Sequence, residues 1–247
     1  MTPEEVALHA KTLEHASPEA ILTWALSTFA QGNLAQASSL AVEDQVVTHL
    51  LAGIDPRPAI FTLDTGRLFP ELYATIARTE ERYGLRIEVL FPDRADVENL
   101  VREEGINCFR RSVVLRKRCC DVRKVRLLHR RLAGLQAWIT GLRREQSVTR
   151  VGVRPVEWDT ANGLVKINPL AAWSEAQVWA FVAAHEVPYC ELQDRGYSSL
   201  GCAPCTRAVE PGEDARAGRW WWEEPEHKEC GLHLVDGTPV RARLAGG

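Results

Sequence analysis

At 247 residues, with 45% hydrophobic and 26% charged residues, the chain suits one sizeable globular domain or two small ones. Its net charge of −3 conceals a local imbalance: residues 110–131 carry ten Lys/Arg against one acid, leaving the remainder with 20 basic and 32 acidic residues. Such a confined positive patch fits a small anionic ligand and argues against general nucleic-acid binding. No run of about 18 apolar residues exists and no apolar signal core is visible near Met1, so neither a membrane span nor a secretory leader is expected. Seven cysteines, an odd number, point to a reducing compartment such as the cytoplasm and to ligand or catalytic thiols.

In chain order, residues 2–30 carry apolar positions at helical spacing, and Ser17-Pro18 is a helix start with a serine cap. A short strand is predicted over 34–40, with Ser38-Ser39 opening a loop before a helix that begins at Val42. A strand, a small-hydroxyl loop and a helix N-terminus together can hold an anion through free backbone N–H groups. Residues 59–63 read as a buried strand, Asp64-Thr65-Gly66 as a tight turn, Pro70 to Tyr83 as a helix, and 85–91 as the next strand. That alternation implies a parallel sheet with crossover helices, whose ligands bind where the strands end.

A helix is predicted over 93–105 and another after Cys120, with Lys124 on the face of Cys120. A strand over 137–140 runs into Gly141-Leu142-Arg143-Arg144, and arginine forks fit phosphate or sulfate oxygens. Ser174-Glu175-Ala176-Gln177 is a capping box opening a helix to about His185. After Cys205 the composition turns polar. Arg219-Trp220-Trp221-Trp222 on that stretch suggests docking onto the body or a partner.

Two cysteine pairs, Cys119-Cys120 and Cys202/Cys205, suggest one shared centre of zinc or iron and sulfur, and their spacing does not choose between these. Cys230 has another character. It stands between Lys228 and His233, where positive charge favours the nucleophilic thiolate. Cys108 and Cys190 sit among apolar neighbours and read as buried packing residues.

Taken together, Ser38-Ser39 with Glu43-Asp44-Gln45, Leu63-Asp64-Thr65-Gly66, Cys119-Cys120 with Arg123-Lys124, Thr140-Gly141-Leu142-Arg143-Arg144 with Gln146-Ser147, Cys202 and Cys205, Arg216 and Arg219, and Glu229-Cys230-Gly231-Leu232-His233 resemble the assimilatory adenylylsulfate reductases that carry an iron–sulfur cluster. The resemblance spans nearly all of residues 38–233 and departs at Leu40-Ala41-Val42, where many relatives have phenylalanine and glycine.

The resemblance implies an α/β fold, a parallel twisted sheet with helices on both faces like the adenine nucleotide alpha hydrolases and related to PP-loop ATP pyrophosphatases, with a mobile C-terminal tail. It implies a nucleotide-binding domain over 1–207 and a tail over 208–247. A [4Fe-4S] cluster would rest on Cys119, Cys120, Cys202 and Cys205. Cys230 would attack adenosine 5′-phosphosulfate (APS), release AMP and leave an S-sulfocysteine, from which thioredoxin would release sulfite. Substrate would be met by Ser38, Ser39, Glu43, Leu63, Asp64, Gly66, Lys124, Gly141, Arg143, Arg150, Arg216, Arg219 and His233. A homo-oligomer without nucleic-acid or membrane partners is the expectation. The alternatives are 3′-phosphoadenylylsulfate (PAPS) reduction, which typically lacks the cluster cysteines; ATP pyrophosphatase or tRNA-thiolating chemistry, whose Ser-Gly-Gly-x-Asp-Ser loop is missing from 38–44; and a zinc module binding nucleic acid, which leaves Cys230 unexplained.

Overall fold

The computed structural model describes residues 1–146 and 150–224. Two N-terminal helices, α1 (Pro3–Thr12) and α2 (Pro18–Thr28), start on Thr2 and Ser17, whose hydroxyls accept from backbone N–H groups three residues on. Then come β1 (Leu34–Ala37), α3 (Val42–Ile54), β2 (Ile60–Leu63), α4 (Pro70–Tyr83), β3 (Glu88–Leu90) and α5 (Arg94–Glu104). The middle of the chain forms α6 (Val113–Cys120), one wide π-type turn over Asp121–Val125, and α7 (Arg126–Leu132). The last elements are β4 (Ala137–Ile139), β5 (Val156–Asp159), β6 (Leu164–Ile167) and α8 (Glu175–His185).

The described strands form one sheet in the order β3-β2-β1-β4-β6-β5. All neighbours are parallel except β5 with β6. The expected parallel sheet is therefore present with one addition, an antiparallel edge strand that closes a short hairpin. The β3 strand is also shorter than the expected 85–91. Leu85 and Ile87 are buried, but only Glu88–Leu90 pairs with β2.

Alternation along the strands sorts side chains between two faces. Leu34, Ala137, Ile139, Val165 and Ile167 pack with α2, α3 and α8. Ala35, Phe61, Trp138 and Leu164 point the other way, onto Leu128 and Leu132 of α7. Helices thus cover both faces, which is why the strands are short apolar runs. Strand order reverses between β1 and β4, so the crevice beyond their carboxyl ends is the topological switch point.

The chain after Cys205 continues over the body. Thr206 bridges Arg219, and the Trp220 N–H donates to the Cys205 carbonyl at 3.1 Å. Trp220 is 2% exposed. The tryptophan run therefore docks on the body, the docking that the sequence allows for. Among the described residues no helix is long and apolar enough to cross a membrane.

Candidate active site

A cavity of about 520 Å³ opens at the switch point. One end is built from the loops after β1 and β4, and the other from the cysteine pairs. Ser38, Ser39, Glu43 and Leu63 line it, as do Lys124, Gly141, Arg143, Arg150, Arg216 and Arg219. All four paired cysteines face it as well. Asp64 and Gly66 do not. Asp64 is buried, accepts from the Gly66 N–H at 2.7 Å and from Tyr73 Oη at 2.8 Å, and so shapes the turn behind the wall. Cys230 and His233 lie outside the described residues.

At the strand end, α3 begins on Ala41, which provides no side-chain cap, so its first N–H groups are left for other acceptors. The serine loop is held from behind by Asp44. Its carboxylate accepts from the Ser39 N–H at 2.7 Å, Ser39 Oγ at 2.5 Å and the Gly141 N–H at 2.8 Å. Burial pushes the Asp44 carboxyl up from its ordinary range, and these donors pull against that shift. The same carboxylate dictates the residue at 141: a Cβ there would stand 2.6 Å from an Asp44 oxygen and 2.8 Å from its backbone nitrogen. Asp44 thereby ties the β1 loop to the β4 loop across the switch point. Leu40, fully buried, adopts a left-handed φ of 64° in that loop.

Glu43 and Arg143 engage each other. Glu43 Oε1 accepts from Arg143 Nη2 at 2.9 Å and from Gln146 Nε2 at 2.8 Å, and the pair is nearly buried. Arg143 also donates to the Trp173 carbonyl at 3.3 Å. Its charge is thus matched within the wall. Gln146 in turn accepts from the Arg143 N–H at 3.1 Å and from Arg150, linking the wall to a second cavity arginine.

The thiol end has the opposite construction. Cys119 and Cys120 close α6, and the π-type turn that follows carries Arg123 and Lys124. The expected helix therefore begins before the cysteines and widens just after them. Lys124 faces the cavity from that turn, a geometry often found at functional sites. Arg123 is buried and donates to the Thr65 carbonyl at 2.8 Å. Cys202 Sγ lies 3.2 Å from Thr65 Oγ1.

Cys119, Cys120, Cys202 and Cys205 fall in one apolar cluster with Cys108, Phe109 and Trp220. Burial pushes the Cys119 thiol up to about 11, with Cys108 and Cys202 adding to the rise. Cys205 is raised by burial and then by Cys202, Cys120 and Cys119. The fold thus brings into one cluster two thiol pairs that the sequence separates by more than eighty positions. Among the described residues no group of three or more His, Cys, Asp or Glu is set for a single metal ion. The donors are nonetheless all soft sulfur, the set that suits thiolate-bound metal centres. Two buried donors nearby, Arg123 Nε and Trp220 Nε1, meet no acceptor among the described residues, which fits a polar or anionic group beside the thiols.

Sequence reading missed Arg67 and Arg116 as cavity residues, although the latter belongs to the basic run, and it named Arg123 only within a motif. It found Cys108 and Cys190 as buried residues. It named Asp44 only within a motif, since the role of that carboxylate depends on a glycine 97 positions away.

A model of the phosphoadenosine phosphosulfate reductase domain matches residues 33–208. The chain is 52% identical to an adenosine 5′-phosphosulfate reductase of Burkholderia cepacia, over 85% of this chain and 84% of that one. It is 54% identical to the protein of the same name from Allochromatium vinosum, over 82% and 79%. Among solved structures, a phosphoadenylyl-sulfate reductase from Candida auris in complex with phosphate superposes with a TM-score of 0.72 at 27% identity, covering 85% of this chain and 98% of that one. An FMN adenylyltransferase of Candida glabrata, at 17% identity and a TM-score of 0.54, covering 96% and 76%, shares the fold alone. With its sheet order, switch-point cavity and cysteine pairs, the chain belongs to the phosphoadenosine phosphosulfate reductase family and, within it, to the adenosine 5′-phosphosulfate reductases.

Proposed function

We propose that this protein reduces APS to sulfite and AMP, with Cys230 as nucleophile, thioredoxin as reductant, and a [4Fe-4S] cluster on Cys119, Cys120, Cys202 and Cys205. The observation that carries the proposal is a single cavity joining the strand-end loops to the four thiols, with Lys124, Arg150, Arg216 and Arg219 along its wall. The nucleotide belongs at the strand end, where the Ser38 hydroxyl and the N–H groups of α3 provide donors and Ser39, held by Asp44, shapes the loop. Its phosphosulfate then extends toward the cations.

Substrate and thiolate are both anionic, so their approach is repelled until cations offset the charge. The Cys230 thiolate attacks the sulfonyl sulfur. A sulfur–sulfur bond forms, the sulfur–oxygen bond to phosphate breaks, and its electron pair leaves with AMP. A thioredoxin thiolate then attacks Cys230 Sγ, expelling sulfite and forming a mixed disulfide. The second thioredoxin thiol resolves it, so two electrons pass from the dithiol and Cys230 returns to its starting state. Lys124 and the arginines hold the charge that grows on the leaving phosphate. Held by Cys119, Cys120, Cys202 and Cys205, the cluster would supply electrostatic polarisation, and the buried donors Arg123 Nε and Trp220 Nε1 would be available to it.

The test is turnover with thioredoxin on APS and on PAPS in parallel, together with iron analysis of an anaerobic preparation. Sulfite from APS by an iron-loaded protein is expected. Preference for PAPS, or full activity without iron, contradicts the reading.

A further inference from the structure

Arg116 is a fully buried cation that the chemistry above does not use. It lies on α6, one turn before Cys120, and its side chain is 0% exposed. Its partner is Glu223, 107 positions away in sequence and 3% exposed. Arg116 Nε donates to the two carboxylate oxygens at 3.0 and 3.3 Å, and Nη2 donates to one of them at 2.8 Å. The Arg116 guanidinium also lies 4.6 Å from the Trp220 ring centre, and Arg219 approaches the same ring at 4.6 Å. Arg116 interacts as well with Cys120. One buried cation therefore touches a cysteine of the thiol group and a carboxylate of the segment that crosses it.

We infer that Arg116 and Glu223 anchor this crossing segment and act as positioning residues for sulfonyl transfer. The inference rests on the assignment of Cys230 as nucleophile. A buried ion pair is an inefficient source of stability, because apolar residues of similar volume often serve as well or better. What a forked, two-oxygen contact provides is a fixed register. Here the register sets two things. Arg216 and Arg219, which line the cavity, lie seven and four residues before Glu223. Cys230 lies seven residues after it, so even a fully extended chain reaches at most about 25 Å from the anchor. The position of Glu223 thus fixes the cavity arginines and bounds the reach of the attacking thiol.

Further contacts support a built anchor. The Glu223 N–H donates to the Trp220 carbonyl at 2.8 Å, and Trp220 holds a left-handed φ of 40°. Arg219 Nη1 donates to the Leu200 carbonyl at 2.7 Å. Its guanidinium packs so closely on Gly201 that a Cβ there would stand 2.3 Å from it. The segment is seated on both flanks, and the Arg116–Glu223 contact is its last described ion pair before Cys230.

The experiment uses the full-length, cluster-loaded enzyme and two variants, Glu223→Gln and Arg116→Lys. The first removes the carboxylate charge with little change in shape; the second keeps the cation and loses the fork. Hydrogen exchange is read at the Trp220 and Arg219 amides. The single-turnover rate of enzyme sulfonation by APS and the affinity for AMP are measured below the melting range of each variant. Exchange is expected to speed up by about tenfold or more as the segment opens locally. The sulfonation rate is expected to fall by about 100-fold, the scale for a misplaced reacting group, with AMP affinity changed by less than about threefold. Unchanged exchange in a folded variant overturns the anchor. Faster exchange with a sulfonation rate within about twofold of the parent overturns the positioning role and leaves a structural one. If Glu223→Gln does not fold, Arg116→Lys decides by the same criteria. Sulfite formation by Cys230→Ser decides the nucleophile assignment separately, and the exchange readout does not depend on it.

Discussion

The two ends of the cavity solve opposite electrostatic problems. At the strand end, buried carboxylates hold the scaffold. Asp44 gathers three donors from two loops, and Glu43 gathers donors from Arg143 and Gln146. At the thiol end, buried guanidiniums do so: Arg116, Arg123 and Arg219 lie within the wall around four thiols. A site for a phosphate-bearing nucleotide keeps the N–H groups of its helix start for the ligand, and here the Asp44 carboxylate stays behind the loop and takes up the donors of Ser39 and Gly141. Burial and neighbouring thiols push the Cys119 and Cys205 thiols up, and the guanidiniums of Arg123 and Arg219 in the wall pull the other way. Nucleotide affinity and thiol-end chemistry should therefore separate under mutation.

The largest separation is expected for Cys202→Ser. That variant should lose most of its iron and its sulfite formation while still binding AMP, which iron analysis and calorimetry check together. Full iron with normal turnover would erase the distinction between the ends. Lys124→Ala comes next. It removes a cavity cation without touching the thiols, and should slow sulfonation by about 10²–10³, on the order of 2.7–4 kcal/mol in the barrier. Iron content should not change. An equal loss of AMP affinity would place Lys124 at the other end.

Gly141→Ala tests the strand end. Its methyl would overlap the Asp44 carboxylate, and overpacking typically costs about 1–3 kcal/mol. A lower melting temperature and weaker AMP binding are expected, with the iron content of the parent. The smallest effect lies away from both ends. His49 sits 5.2 Å from His185 and 3.0 Å from Tyr83 Oη, and its pKa is held down by burial, then by His185 and Arg82. A depressed histidine favours the fold above its ordinary value near about 6.5, and that contribution is lost as pH falls from there through the folded value. The melting temperature should fall over that range, and His49→Gln should flatten the fall. An identical profile in the variant would exclude His49 as its source.

Local patterns make much of this fold legible in the sequence. The helix from Pro70 to Tyr83 and the capping box at Ser174 lie where turn residues and periodicity put them. The loops after β1 and β4 are readable as the walls of a crevice because small and glycine residues follow apolar runs, and both line the cavity. The parts that were not legible depend on distant partners. Arg143 reads as a phosphate fork, yet its charge is met by Glu43, 100 positions earlier. Arg116 reads as one more residue of a basic run, yet it is fully buried against Glu223. The π-type turn after Cys120 leaves no mark on hydrophobic spacing, and β5 carries Glu157 and Asp159, which mask its strand character. The cysteine pairs were legible as a group only because thiols in close pairs have few other uses.

The central claim is that a single thiol carries the sulfonate between substrate and thioredoxin. It is tested most directly by adding APS to the cluster-loaded enzyme without thioredoxin and weighing the intact and digested protein. The account predicts one sulfonate per chain, located on Cys230, one AMP released, and no adduct on Cys230→Ser. A sulfonate on another residue, or sulfite released by Cys230→Ser with thioredoxin, would contradict it.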